Sequence, residues 1–217
     1  MAKILVADDH ELVRMGIVRM LEDVEGFEVV GEAKTGEEAV ELARELQPCV
    51  ILMDVRMPGI GGLEATRKIQ RACESAKVIA VTSVNDEMFT ERLMKAGACG
   101  YVTKGAGFEE IVSAISAVLN GQLYMSRDIA QQVALRNVSS TKLDASPFES
   151  LSERELETAI RISNGEKVNH IAEALFVAPK TVNSYRYRIF TKLKINSDVE
   201  LALLAVKHKL LDIENLS

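Results

Sequence analysis

Val50-Ile51-Leu52-Met53-Asp54 is a run of four apolar residues closed by one acid. So short a run with no polar alternation reads as a strand covered on both faces, and such strands belong to parallel sheets flanked by helices. Val78-Ile79-Ala80-Val81 repeats the pattern, and further short apolar runs lie at 3–7, 27–33 and 100–103. Segments with helical spacing of apolar residues separate them, at 11–22, 36–46, 61–72, 86–96 and 108–120. Five runs alternating with five helices give a doubly wound α/β domain with a five-stranded parallel sheet, expected over residues 1–121.

Beyond Gly121 the pattern breaks. Asn137-Val-Ser-Ser-Thr141 is polar, and Ala145-Ser-Pro147 cannot continue a helix. The composition allows a short helix over about 126–135, capped by Ser126, and the rest of 122–147 reads as linker. Residues 148–217 show only helical patterns. Ser152 with Glu155 three places on is a capping box opening a helix that stops at Asn164-Gly165. A short helix follows at 168–175. The turn Phe176-Val177-Ala178 leads to Pro179, suited to the first turn of a helix over 179–194. A last helix runs over about 198–208.

Composition excludes several classes. The 217 residues are 47% hydrophobic and 27% charged, values of a folded globular chain rather than of a disordered or collagen-like one. The longest uncharged stretch, Ile111 to Ser126, is 16 residues broken by Asn120, Gly121 and Gln122, too short and polar to span a bilayer. The first residues run straight into a strand with no leader layout, and Cys49, Cys73 and Cys99 share no metal-ligand spacing. The expectation is a cytoplasmic protein with reduced thiols and no membrane partner. The net charge of −6 is uneven. Residues 1–124 hold 13 Lys/Arg against 20 Asp/Glu, residues 147–217 hold 10 of each, and Pro179–Lys194 carries five cations (Lys180, Arg186, Arg188, Lys192, Lys194) and no acid. A local stripe of that kind suits a nucleic acid where the global balance does not.

Ligands of open α/β sheets bind at the carboxyl ends of the strands. The residues there are Asp8 and Asp9 after the first run, Asp54 ending the third, Thr82 ending the fourth and Lys104 just after the fifth. Three close carboxylates repel one another unless a cation neutralises them, and oxygen-only donors suit Mg2+. A carboxylate can also act as a nucleophile and form an aspartyl phosphate, with Lys104 holding the new phosphoryl group and Thr82 hydrogen-bonded to another of its oxygens. Two adjacent acids alone could simply cap the next helix. Five such residues at successive strand ends are a functional constellation. His10, beside the acidic pair, reads as a surface or packing residue ahead of the alternative of a proton carrier, His170 and His208 suggest no metal site, and Met53 and Met57 read as core fillers.

Asp8-Asp9, Met53-Asp54-Val55-Arg56-Met57-Pro58-Gly59, Val81-Thr82-Ser83 and Gly100-Tyr101-Val102-Thr103-Lys104 resemble the receiver domain of two-component response regulators. The resemblance implies Asp54 as phosphoacceptor and Mg2+ held by Asp9, Asp54 and the backbone carbonyl of Arg56, with Asp8 acting through water. It also implies Thr82 and Tyr101 as a switch pair that reorients on phosphorylation, and a sensor histidine kinase or phosphotransfer domain as partner. Two positions depart from the pattern. Gly105 stands where many receivers have a proline in a cis bond, a geometry costing a non-proline residue about 3 kcal/mol. Gly61 replaces an acid, so the loop after Pro58 is expected to gain freedom.

In the second domain, the helix over 168–175, a short turn and the helix over 179–194 form a helix-turn-helix, whose second helix enters the major groove. Val182, Ile189 and Leu193 fall on one face, to be buried. Lys180, Asn183, Ser184 and Tyr187 form an exposed stripe able to reach base edges, while Lys180, Thr181, Arg188 and Lys192 can meet phosphates. Leu151-Ser-Glu-Arg-Glu155, Ile171-Ala172, Val177-Ala-Pro-Lys-Thr-Val182 and Lys192-Leu193 resemble the DNA-binding domain of the NarL/FixJ (LuxR-type) response regulators. The stretch Lys180–Arg188 is most similar to their GacA/UvrY branch. Ala178 departs from the capping serine usual there. The resemblance implies a phosphorelay-controlled activator of promoters, including those of regulatory small RNAs, working with RNA polymerase. One such domain offers a small footprint, so a homodimer through the helix over 198–208 or through the receiver is expected. It is then no enzyme, beyond at most weak autodephosphorylation. A phosphohydrolase on the same sheet would need an acid two residues after Asp54, where Arg56 stands. An interaction protein indifferent to phosphorylation is the third reading.

Overall fold

The computed structural model describes residues 1–82, 87–127, 129–131, 146–208 and 210. The chain divides into two units, Met1–Thr141 and Lys142–Ser217.

The first unit alternates β1 (Ala2–Ala7), α1 (Glu11–Glu22), β2 (Phe27–Ala33), α2 (Gly36–Leu46), β3 (Val50–Asp54), α3 (Gly61–Ala72), β4 (Lys77–Thr82), α4 (Glu87–Lys95), β5 (Gly100–Thr103) and α5 (Phe108–Leu119). The sheet order is β2-β1-β3-β4-β5 plus a sixth strand, β6 (Tyr124–Met125), and every pairing is parallel. Alternate strand residues feed two cores. Leu5, Ala7, Ile51 and Met53 pack with Ala39, Ala43, Ala65 and Ile69 of α2 and α3. Ile4, Val6, Leu52 and Ile79 pack with Ile17 and Leu21 of α1 and Ile111 and Ile115 of α5. Both faces of β3 are thus covered, the physical reason for its unbroken apolar run. Val50 through Asp54 is buried throughout.

β6 revises the domain boundary drawn at 121 and the count of five strands. Gly121 turns the chain at φ 76, after which Tyr124 N–H donates to the Cys99 carbonyl and Ser126 N–H to that of Tyr101. Ala130 N–H donates to the Ser126 carbonyl, and Ile129 is buried. The stretch 124–131 therefore belongs to the receiver sheet and its covering, not to a linker. The remainder of the expected 126–135 helix and the polar tract at 137–141 lie outside the described residues.

The second unit contains a 3-10 turn (Pro147–Ser150), α6 (Glu153–Ser163), α7 (Val168–Ala174), α8 (Pro179–Leu193) and α9 (Asp198–Lys207). The capping box is formed: Ser152 Oγ accepts from Glu155 N–H, and the Glu155 carboxylate accepts from Ser152 N–H at 2.8 Å. The α7–α8 turn closes with Phe176 N–H on the Glu173 carbonyl and Val177 N–H on that of Ala172, the double bond of a Schellman motif. Glycine usually takes the left-handed position of that motif; here Phe176 does, at φ 54. Val182, Ile189 and Leu193 are buried as their spacing foretold, and Phe148, Leu156, Ile171 and Leu201 complete the core.

Candidate functional site

In this strand order the direction of crossover reverses between β1 and β3, the place where open parallel sheets bind ligands. β1 ends into Asp8 and Asp9, and its Ala7 is in register with Met53, which puts Asp54 beside them. Asp54 and Asp8 are each 2% exposed. Lys104 Nζ lies 2.8 Å from Asp54 Oδ2 and 2.9 Å from Asp8 Oδ2, bridging the two acids. Asp54 Oδ1 accepts from Arg56 N–H at 3.1 Å. Burial pushes the Asp54 carboxyl up to about 7; Lys104 pulls it down and Asp8 adds to the rise. Burial alone would lower the Lys104 ammonium, but Asp54 and Asp8 outweigh it and hold it above the ordinary lysine value. One lysine therefore does not balance this rim.

Donor atoms of Asp8, Asp9, His10 and Asp54 all lie within 4.8 Å of one another. Three carboxylates against the one ammonium of Lys104 are a donor set that fits Mg2+. Thr82 and Tyr101 are both 1% exposed, Thr82 ending β4 and Tyr101 lying within β5. The structure thus gathers Asp8, Asp9, Asp54 and Lys104 into one cluster. Asp8, which the resemblance placed behind a water, makes its direct contacts with Lys104 and with His10 N–H, 2.8 Å from its Oδ1.

Neighbouring departures have local outcomes. Among the described residues no peptide bond is cis, so the Lys104–Gly105 bond is trans. Gly61 adopts φ 72, and the loop it follows is tied to α2: Gly36 N–H donates to the Pro58 carbonyl at 3.4 Å and Ile60 N–H to Glu37 Oε2 at 3.1 Å. Gly62 sits so close under β3 that a Cβ would overlap the Asp54 carbonyl oxygen.

Two residues of the site escaped the sequence reading. Arg14, 3% exposed, donates from Nη1 to the Asp8 carbonyl at 2.8 Å and from Nε to Glu32 Oε2 at 2.9 Å, pinning the β1–α1 loop from below. Its signal was a cation on the inward face of an amphipathic helix. His10, read as bland, has Nδ1 2.8 Å from Asp9 Oδ1 and 3.4 Å from Asp8 Oδ1.

On α8, Lys180, Asn183, Ser184, Tyr187 and Arg188 are exposed and Thr181 is half-buried. Tyr187 stands 75% exposed. The Ser184 hydroxyl donates to the Lys180 carbonyl at 3.0 Å, leaving its oxygen as an acceptor. With Ala178 at the N-cap no side chain caps α8, as its identity implied. The five-cation stripe is partly paired. Lys192 Nζ is 2.6 Å from Glu155 Oε2 and 3.2 Å from the Ser150 carbonyl, so this cation is tied within the domain while its side chain stays 40% exposed. Burial raises the Glu155 carboxyl, but hydrogen bonds from Lys192 and Ser152 outweigh it and hold it below the ordinary value. Arg186 makes a two-pronged pair with Asp198, Nε to Oδ1 at 2.8 Å and Nη2 to Oδ2 at 2.5 Å, and lies 5.4 Å over the Phe190 ring. Lys180 and Arg188 carry no ion pair among the described residues.

A buried acid and a lysine at the rim of such a sheet, in one chain with a helix-turn-helix, define a signal-receiving, DNA-binding regulator. Residues 4–116 match the response regulator receiver domain, and residues 149–205 match the bacterial regulatory proteins of the luxR family. The chain belongs to the two-component response regulators with a LuxR-type DNA-binding domain, which act as transcription factors. It is 59% identical over 212 residues to the response regulator GacA of Pseudomonas aeruginosa, covering 98% of this chain and 99% of that one. It is 54% identical over 217 residues to the response regulator UvrY of Escherichia coli, covering 100% and 99%. Among solved structures, a LuxR-family response regulator from an Aurantimonas species shares 42% identity at TM-score 0.62, over 64% of this chain and 99% of that one. The Salmonella typhimurium response regulator RcsB, at 24% identity and TM-score 0.61 over 95% and 100%, shares the fold. Among the described residues no helix is long and apolar enough to cross a membrane.

Proposed function

We propose that Asp54 accepts a phosphoryl group from a partner histidine kinase or phosphotransfer domain and that this controls promoter binding by α8. The observation that carries the reading is Asp54 itself, a buried carboxylate at the switch point with Lys104 Nζ 2.8 Å from one oxygen. In the transfer, an Asp54 carboxylate oxygen attacks the phosphorus of a phosphohistidine. The P–O bond forms as the P–N bond breaks, and the imidazole leaves with the electron pair. The Lys104 ammonium then faces the new phosphoryl oxygens as a fixed positive charge. Asp9, Asp54 and the Arg56 carbonyl would hold Mg2+, with Asp8 behind them, and the bound ion would supply positive charge to offset that of the phosphoryl oxygens. Thr82 turns its hydroxyl to the phosphoryl group, and Tyr101, already buried within β5, reorients with it as the second member of the switch pair. The chain is a phosphoacceptor with at most weak autodephosphorylation, and no turnover enzyme.

On DNA, Lys180, Thr181 and Arg188 meet phosphates while Asn183, Ser184 and Tyr187 read base edges. The protein works in the cytoplasm as a homodimer, through α9 or the receiver, and activates with RNA polymerase promoters that include those of small RNAs. One solved neighbour is a structure of RcsB dimers bound to DNA, which supports this mode for a related fold. Incubation with Mg2+ and a small radiolabelled phosphodonor tests the acceptor. Label is expected in the wild type and absent from Asp54→Ala, and label recovered on Asp8 or Asp9 refutes the assignment.

A further inference from the structure

We propose that His10 is a nitrogen ligand of the rim's metal site, so that this receiver takes up borderline-soft divalent transition ions in the place of Mg2+. The proposal rests on the reading of the rim as a Mg2+ site. His10 stands at the N-cap of α1 in extended conformation, and its side chain caps nothing. Its backbone N–H is held on Asp8 Oδ1 at 2.8 Å, which places the imidazole over the acids. Nδ1 is then 2.8 Å from Asp9 Oδ1 and 3.4 Å from Asp8 Oδ1. Two adjacent donors of an octahedral ion, each about 2.1 Å from it, sit about 3.0 Å apart, so the 2.8 Å between His10 Nδ1 and Asp9 Oδ1 is close to the spacing of neighbouring ligands, with Asp8 behind them. Asp54 completes the group within 4.8 Å. The imidazole is 65% exposed, so an ion reaches the nitrogen from solvent without displacing core side chains.

The donor chemistry decides which ions benefit. Mg2+ binds oxygen and gains little from an imidazole, whereas Co2+, Ni2+ and Zn2+ gain from a neutral nitrogen added to carboxylates. His10 should thus change the selectivity of the site more than its affinity for Mg2+.

Calorimetric titration of the full chain and of His10→Gln with Mg2+ and with Co2+ tests this, with the visible absorption of Co2+ reporting nitrogen coordination. The expected result is a loss of about tenfold or more in Co2+ affinity in the variant, with Mg2+ affinity within about twofold. The variant must also lose the nitrogen-ligated Co2+ spectrum, which excludes His170 and His208 as its source. Co2+ affinity unchanged in His10→Gln, or Co2+ and Mg2+ weakened by the same factor, overturns the proposal. Mg2+ binding to neither protein, with Co2+ binding still dependent on His10, overturns the Mg2+ reading and leaves His10 a ligand.

Discussion

Asp54→Asn should make the receiver more stable, and the gain should depend on pH. The folded chain holds the Asp54 carboxyl at about 7 against an ordinary 3.8, because burial and Asp8 outweigh Lys104. Below about pH 4 the group is protonated whether the chain is folded or not, and it costs nothing. As pH rises from there toward 7, the unfolded chain ionises Asp54 freely while the folded chain resists, so stability falls; above about 7 the loss is complete. The gap between 3.8 and about 7, at about 1.4 kcal/mol per tenfold, amounts to about 4 kcal/mol at pH 8 in the absence of divalent ions. Asparagine removes that term. It keeps an oxygen for the Arg56 N–H, but its amide faces Lys104, an offset of about 1–3 kcal/mol that does not vary with pH. The net gain at pH 8 is therefore about 1–3 kcal/mol, and the change in gain between about pH 4 and pH 8 is about 4 kcal/mol. Urea unfolding of the full chain with chelator present, the receiver's transition isolated by hydrogen exchange of the β3 amides, measures both quantities. A variant-minus-wild-type difference equal at the two pH values refutes the argument.

Gly62→Ala should cost about 3 kcal/mol or more of receiver stability and abolish phosphoryl acceptance, because its Cβ would overlap the Asp54 carbonyl oxygen, and backbone cannot step aside as a side chain can; urea melts and labelling check it. Phe176→Gly should stabilise the helical unit by about 0.5–1 kcal/mol, since the φ of 54 suits glycine and the ring, 71% exposed, gives up little packing; thermal melts check it. Asn183→Ala or Tyr187→Ala should lose about 1–3 kcal/mol of discrimination between a true site and random DNA. Lys180→Ala or Arg188→Ala should weaken both DNAs alike and flatten the salt dependence, whereas Lys192→Ala should leave the salt slope unchanged; salt titrations separate the three outcomes.

Much of this molecule is written in local pattern. The unbroken apolar runs at 50–53 and 78–81, the helical spacing between runs, the Ser152–Glu155 box and the Pro179 start are short-range signals, because each depends on residues within a few positions of one another. Strand ends are short-range features too, so Asp8, Asp9, Asp54, Thr82 and Lys104 could be named as one rim from the alternation alone. Tertiary structure decided what depends on partners far away along the chain. β6 is two residues long and carries no periodicity; the free edge of β5 makes it a strand by offering the Cys99 and Tyr101 carbonyls. Lys192 meets Glu155 from 37 positions away, and Arg14 meets Glu32 from 18. Charge counting along α8 therefore could not say that Arg186 and Lys192 are paired, and hydrophobic periodicity along α1 could not say that an inward arginine holds up Asp8. The same holds for His10, whose place over the acids follows from the bend of one backbone around one carboxylate. A sequence specifies which groups lie at a rim, but only the folded backbone sets the distances between them, and those distances decide which charges pair and how far burial raises Asp54.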